Sequence, residues 1–403
     1  MKRKVIIIGQ GFTGRLSIAR SVGQIGCEVT IIALVAHKRD KKSLNTRRPV
    51  DSYSKYVKQV YYCYKKDKET LFKILVNQCR DERQKPIIIP DNDFSAILID
   101  QHLDELKEFF LLPHIHHEQG AVGKWMEKIK QKELARQMGM NVANAHIVEI
   151  RNRDYYLCSG IDFPCFVKPA VSAIGGKSGL KLCHNEQELL NHLDYLRRFE
   201  NIDVLVEEFM DIEQEFAVLG FSDGKEVIIP GKLEILKLAH ANHFGVAIQG
   251  RISPVGDHEK LIETFKKYIL SIGFVGIFDI DYYKTRNQLY FGELNLRFGG
   301  SGYAYTKLGV NLPAMFVKYI SGENYDHMPK RIESNAIYLN ERMLIDEWLN
   351  GFISKKERQQ LEKSSDISFV ADEEDKGPYL KYKKVLFLEQ IKHYLKNCLK
   401  KKR

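Results

Sequence analysis

Asp279 and Asp281 stand two residues apart, and Glu293, Asn295 and Arg297 repeat that spacing beyond the polar turn Lys284 to Gln288. Alternate side chains of a strand share a face. Glu293, Asn295 and Arg297 therefore point one way, while Leu294, Leu296 and Phe298 point into a core. Hard oxygen donors on a rigid sheet suit Mg²⁺ carrying the phosphates of a nucleotide, and an arginine beside them suits a second anion. The plainer reading of the same residues is a solvated hairpin with a charged outer face. Register separates the two. A carboxylate of the first strand faces Glu293 or Asn295 by direct pairing only if the paired numbers sum to an even value. The turn must then hold an odd number of residues, or the ladder must carry a bulge. A two-residue turn at Arg286-Asn287 would send the aspartates to the opposite face.

Other residues along the chain could serve the same chemistry. A strand over Phe163 to Pro169 delivers Lys168 just before Ala170-Val-Ser172-Ala-Ile-Gly175-Gly176-Lys177-Ser178-Gly179. Small residues in such a loop offer backbone amides to phosphate oxygens, although a turn without function has the same composition. The spacing is not that of a P-loop. Helical periodicity from Gly123 to Met138, through Trp125, Ile129, Leu134 and Met138, carries Lys128 and Lys132 one turn apart. Near the start, Val5 to Ile8 and Gly9-Gln-Gly11-Phe-Thr-Gly14 read as a strand, a tight turn and a helix. The next strand, Val29 to Val35, ends without the acid that NAD requires. His37-Lys38-Arg39 would suit the 2′-phosphate of NADP, so an oxidoreductase stays among the alternatives. The plain reading is a turn that lets a helix pack on a sheet, lending its amides to an anion. Asp91 and Asp93 follow the apolar strand Pro86 to Pro90, where an open α/β sheet binds ligands, and they serve equally well as caps of the helix Phe94 to Gln101. His114-Ile-His116-His117 lacks a carboxylate at a fixed spacing and reads as surface histidines.

The elements that must position these residues are numerous. A chain of 403 residues with 44% hydrophobic content supports two or three domains sharing clefts. The formal charge of +10 comes with no aromatic-interleaved basic motif, which favours small anionic partners over nucleic acid. Seven cysteines, an odd count without any C-x-x-C pair, point away from a disulfide framework or a zinc site and toward the cytoplasm. No run reaches membrane-spanning length, and the apolar stretch after Met1-Lys-Arg-Lys is too short for a signal peptide. Strands are expected over Val57 to Cys63, Val204 to Met210 and Glu215 to Phe221, an apolar-polar run covers Ala247 to Ile252, and helices are expected over Thr70 to Arg80, Glu186 to Phe199 and Glu259 to Ile272. Beyond residue 325 a strand Ile337 to Met343, a short helix Asp346 to Leu349 and an acidic turn Asp372 to Gly377 are expected. The last segment, Phe387 to Arg403, is amphipathic and basic, which suits a docked terminal helix or a membrane-surface helix.

Taken together, these motifs resemble the ATP-grasp superfamily over about residues 1 to 320, with a layout similar to carboxylate-amine ligases of the D-aspartate ligase and carbamoyl-phosphate-synthase group. Glu293-Leu-Asn295-Leu-Arg297 is similar to the family's Glu-x-Asn-Pro-Arg, with Leu296 in place of proline at a core-facing position. The resemblance implies an α/β and α+β multi-domain chain, an ATP-grasp fold preceded by a Rossmann-like parallel βαβ domain. The expected divisions are 1–115 (Rossmann-like), 116–203 (small lobe), 204–325 (large lobe with the metal hairpin) and 326–403 (an extension packed on the core). It further implies ATP and one or two Mg²⁺, with Mn²⁺ an acceptable substitute. Asp279, Glu293 and Asn295 would be the metal ligands, Asp281 competing with Asp279. Lys128 and Lys168 would hold phosphates under a lid containing Ser172, Gly175 and Gly176. Glu207, Glu208, Phe209 and Met210 would form the adenine hinge, and Glu215 would hold the ribose. Arg297, Lys168 and Arg251 would act in catalysis, with Arg251 and His243 near the carboxylate substrate. The implied reaction activates a small anionic carboxylate as an acyl phosphate and joins it to an amine, in a cytoplasmic protein for which a homodimer is one expected assembly. A nucleotide-binding regulatory protein without turnover is the alternative.

Overall fold

The computed structural model describes residues 2–36, 48–157, 159–171, 179–240, 246–286 and 288–400. The His37-Lys38-Arg39 trio, Ser172, Gly175, Gly176 and His243 lie outside the described residues.

Three sheets organise the described chain. The first is parallel, in spatial order Val57–Tyr64, Glu28–Val35, Lys4–Gly9, Ile87–Pro90. Its two central strands with their neighbour Ile87–Pro90 are largely apolar because helices cover both faces, whereas the edge strand Val57–Tyr64 exposes Lys58 and Gln59. The strand order reverses between Lys4–Gly9 and Ile87–Pro90, and the residues just past their carboxyl ends are where such sheets bind ligands. The second sheet is antiparallel and four-stranded, in order Ala145–Ile150, Ile202–Glu208, Cys165–Pro169, Lys181–Cys183. The third is large and holds the hairpin of Phe274–Lys284 and Leu289–Asn295.

The large sheet draws strands from all four expected divisions. His114–Ile115 pairs with its aspartate strand, and Asn141–Val142 with its glutamate strand. Ala336–Leu339 and Ile367–Ser368 extend its far edge. The expected strand Ile337 to Met343 stops at Leu339 because Asn340 accepts a bond from the Met343 amide and starts the helix Glu341–Leu349. One apolar cluster runs from Val5 and Ile18, in the parallel sheet and the helix on it, to Phe298, Tyr305 and Phe369. Polar ties reinforce it. The fully buried Arg20 pairs with Asp375 at 3.0 Å and donates to the carbonyls of Phe369 and Val370 at 3.0 and 2.9 Å. Residues 369–375 are thereby fastened to the helix Phe12–Gln24 as well as to the large sheet.

The expected helix from Gly123 to Met138 is two helices, Ala121–Trp125 and Lys128–Gln137. Glu127 is extended and bridges Val171, and the Lys128 amide donates to the Ala170 carbonyl at 2.9 Å. The break seats the start of the second helix against the strand that carries Lys168. Its buried stripe is Lys128, Gln131, Lys132 and Ala135, whereas the apolar positions Ile129 and Leu134 are half-buried. Hydrophobic periodicity picks the wrong face here because the buried face is polar.

Candidate active site

The hairpin decides the site. Near its turn Lys284 pairs with Leu289 and Tyr282 with Phe291, so the four-residue connection alone would put the aspartates out of phase with the glutamate. The ladder then shifts by one residue, and Asp281 faces Glu293 while Asp279 faces Asn295. Gly292 is the extra residue. A β-carbon there would stand 2.6 Å from the Tyr283 ring and 2.8 Å from the Asp281 carbonyl oxygen, so the bulge requires glycine. Leu294, Leu296 and Phe298 are buried behind it.

Asp279 and Asp281 are both on this face, and each carboxyl is pushed above its ordinary range. Burial is the main cause for both; for Asp281 the charges of Asp279 and Glu293 add to it. Among the described residues no three acidic, histidine or cysteine groups already converge as a metal cage. The cause is visible in the pairing. Glu293 is drawn 2.9 Å from Lys128 Nζ, and Asp279 Oδ2 sits 3.1 Å from Arg297. Acids that repel one another, present only oxygen donors and are held apart by cations fit a hard divalent ion.

Across the cleft the balance of charge is opposite. Lys132 and Lys168 lie 2.8 and 2.9 Å from the two oxygens of the buried Glu207. Burial would raise the Glu207 carboxyl, but Lys168 and Lys132 outweigh it and hold it below its ordinary value. Burial lowers Lys132 despite Glu207, and Lys168 adds to the effect. Two cations share one carboxylate, which leaves positive charge to face a phosphate chain. Lys132 escaped notice in the sequence beyond its one-turn spacing from Lys128, and Gln131 escaped it altogether. Gln131 holds the helix onto the hairpin: its amide donates to the Leu294 carbonyl at 2.7 Å and accepts from the Leu294 amide at 2.9 Å.

The remaining expected residues fall into place unevenly. The Glu208 amide donates to the Asn144 carbonyl at 3.0 Å, and its carboxylate accepts from Asn144, so that amide is already committed. Phe209 is exposed, and Met210 is half-buried at the strand end. Glu215 is half-buried on Gln214–Asp223, its carboxyl raised by burial. Arg251 requires correction. Asp281 pairs with Ala217, Ala217 with Leu233 and Leu233 with Ile252, so the neighbouring Arg251 points to the opposite face of the sheet, where it pairs with Glu234 at 2.8 Å. It cannot reach the carboxylate row. Loop residues 172–178 are flanked by Val171, bridged to Glu127, and by Gly179, packed on Pro169.

The parallel sheet meets the hairpin at a cavity of about 340 Å³ whose wall includes Asp91, Asp93, Asp279, Asp281, Arg297 and Ser301. Asn92 caps the helix Asp93–Asp100 with a complete capping box, which frees both aspartates for other work. Asp93 bonds Arg297 Nε at 2.9 Å. Arg297 is held above its ordinary value by Asp93 and Asp279, although burial opposes them. Asp91 packs against the Gly9 turn, where a β-carbon on Gly9 would fall 1.5 Å from its carboxylate oxygen. The turn therefore makes room for an acid, which disfavours both a dinucleotide pyrophosphate and an anionic substrate at that spot. Burial, with help from Asp51 and against Arg15, pushes the Asp91 carboxyl up to about 7. Tyr338, Asn340 and Phe369, all from the carboxyl-terminal extension, complete the cavity.

The profile of the ATP-grasp domain family matches residues 133–313, a span that includes Lys168, Glu207 and the whole hairpin. The chain carries an ATP-grasp domain. A curated relative, the carbamoyl phosphate synthase large chain of Clostridium botulinum (strain Langeland), is 31% identical over 143 residues. That match covers 34% of this chain, and the chain spans only 13% of the relative's length. Among solved structures, the biotin carboxylase domain of the Hydrogenobacter thermophilus 2-oxoglutarate carboxylase, in complex with MgADP, ADP and bicarbonate, superposes with a TM-score of 0.62 at 16% identity. It covers 84% of this chain and 74% of that one. The L-amino acid ligase of Bacillus licheniformis gives 0.61 at 15% identity, covering 83% and 80%. At these identities the likeness is one of fold, and it reaches well beyond the ATP-grasp domain into the parallel sheet. Among the described residues no helix is long and apolar enough to cross a membrane.

Proposed function

We propose that the protein is an ATP-dependent ligase that activates a small carboxylate as an acyl phosphate and joins it to an amine, releasing ADP and phosphate. The observation that carries this reading is the Gly292 bulge, which sets Asp281 opposite Glu293 and Asp279 opposite Asn295 on the face that also holds Lys128 and Arg297. Lys128, Lys132 and Lys168 hold the phosphates of ATP in this reading, with the strand end Glu208–Met210 and Glu215 at the nucleoside. Asp279, Asp281, Glu293 and Asn295 hold one or two Mg²⁺, or Mn²⁺ in its place. The metal, when bound, neutralises charge on the transferring phosphoryl group. Arg297, set by Asp93, binds the acyl phosphate. Loop 172–178 excludes water while that labile anhydride exists. The amine must lose a proton before it attacks, and Asp91, whose carboxyl burial pushes up to about 7, accepts it. The acids around the cavity favour a cationic amine entering from the parallel sheet. The four chain divisions at 1–115, 116–203, 204–325 and 326–403 remain the proposed domains, in a cytoplasmic protein. A homodimer is its proposed assembly.

The test is ADP release with Mg²⁺ across a panel of carboxylates and amines. Glu293→Ala is expected to lower turnover by at least about 10² to 10³ while the melting temperature stays near that of the unaltered protein. ATP binding without turnover on any pair would favour a regulatory nucleotide-binding protein. Near-normal turnover in Glu293→Ala would remove the hairpin from the mechanism.

A further inference from the structure

Up to Ile391 the helix Lys376–Lys400 carries apolar side chains on two faces. One face docks: Tyr382 is 5% exposed, its hydroxyl donates to the Glu341 carbonyl at 3.3 Å, and its ring lies 6.0 Å from Phe12. On the other face Leu380, Phe387, Leu388 and Ile391 are 59, 63, 54 and 41% exposed. At 3.6 residues per turn Leu380, Phe387 and Ile391 fall within about 40° of one another. Leu388 borders them, and the exposed Lys383 and Lys384 stand on the same side. Four large apolar side chains left open on one side of a helix, with Lys384 set between Ile391 and Leu388, call for an occupant.

The distribution of charge says which. Residues 376–403 contain ten Lys and Arg against the single Glu389, a net +9 of the chain's +10. The other 375 residues hold 52 basic and 51 acidic side chains and are close to neutral. The basicity of this protein is therefore concentrated in one segment, residues 376–403. A second copy docked on this side of the helix would bring two such segments together against their mutual repulsion. Nucleic acid would satisfy the lysines and leave four large apolar side chains in water. An anionic bilayer satisfies both, because apolar side chains enter the boundary of the acyl chains while lysines remain among the headgroups. From this we infer that the helix Lys376–Lys400 seats the protein on an anionic lipid surface through Leu380, Phe387, Leu388 and Ile391.

The test is co-sedimentation of the full chain with phosphatidylcholine vesicles, with and without phosphatidylglycerol, at physiological salt. The expected result is pelleting with the anionic vesicles alone. Lys384→Gln should weaken it about fivefold and Phe387→Ser about tenfold. Both side chains are exposed, so the melting temperatures of the variants should match that of the unaltered protein. The proposal is overturned if anionic vesicles pellet no protein, if neutral vesicles pellet it equally, or if both variants bind undiminished. It also fails if a DNA oligonucleotide displaces the protein from vesicles and binds it more tightly, or if Phe387→Ser abolishes self-association instead.

Discussion

Replacing Asp91 by asparagine should make the protein more stable at neutral pH and poorer at using its amine. The side chain lies against the Gly9 turn with one carboxylate oxygen lacking a hydrogen-bond partner. Burial is the main reason that its carboxyl is pushed from an ordinary 3.8 up to about 7. The sign follows from proton binding. The folded state retains a proton that the unfolded chain has lost, so stability falls as pH rises from about 4 to about 7 and then levels off. Above that window the ionised carboxylate costs ~4 kcal/mol relative to a neutral group. Asparagine has the same outline and never ionises. Asp91→Asn should therefore gain ~4 kcal/mol at about pH 8, with the gain shrinking to nothing near pH 4. Urea unfolding at a series of pH values measures it, and ADP release measured against amine concentration reports the accompanying functional loss. Parallel stability curves for the two proteins, or a less stable variant at about pH 8, would refute the reasoning. Either would mean that the charge of Arg15 outweighs burial.

Three further substitutions probe the frame of the site. Gln131→Ala strips the buried Leu294 amide and carbonyl, and the Trp125 carbonyl, of their partner. It should cost about 2 to 4 kcal/mol in urea unfolding, and a loss below about 1 kcal/mol would show that water or repacking replaces it. Gly292→Val puts a side chain into the Tyr283 ring and the Asp281 carbonyl. ADP release should fall by about 10² or more, whereas unaltered turnover would show that the bulge can move without harm to the metal face. Arg251→Ala, on the far side of the sheet, should change ADP release by less than about tenfold. A larger fall would return Arg251 to the reaction.

Much of the site was legible because its residues obey a period of two. The alternation of Glu293, Asn295 and Arg297 with Leu294, Leu296 and Phe298 fixes which side chains share a face whatever the strand's partners. The helix Glu259–Ile272 was likewise readable to the residue from its apolar stripe. Helix Lys128–Gln137 defeated the same rule because its buried face carries two lysines and a glutamine, and their burial makes sense only beside Glu207 and Leu294. Arg251 was misjudged for a related cause. Its side depends on a register passed across three strands, which no local pattern records.

The sequence by itself determined which groups are on offer: oxygen donors suited to a divalent ion, lysines suited to phosphates, an arginine suited to an anion, and the condition that a bulge or an odd turn must join the hairpin's two carboxylate rows. Tertiary structure decided how that condition was met. A four-residue turn gives the wrong phase, and Gly292 restores it because only a residue without a β-carbon fits between Tyr283 and Asp281. Tertiary structure also decided that Asp91 and Asp93 join this face, because the parallel sheet ends where the hairpin ends, and that contact spans about 200 residues of chain. Long-range packing sets such distances, and spacing along a chain carries no record of them.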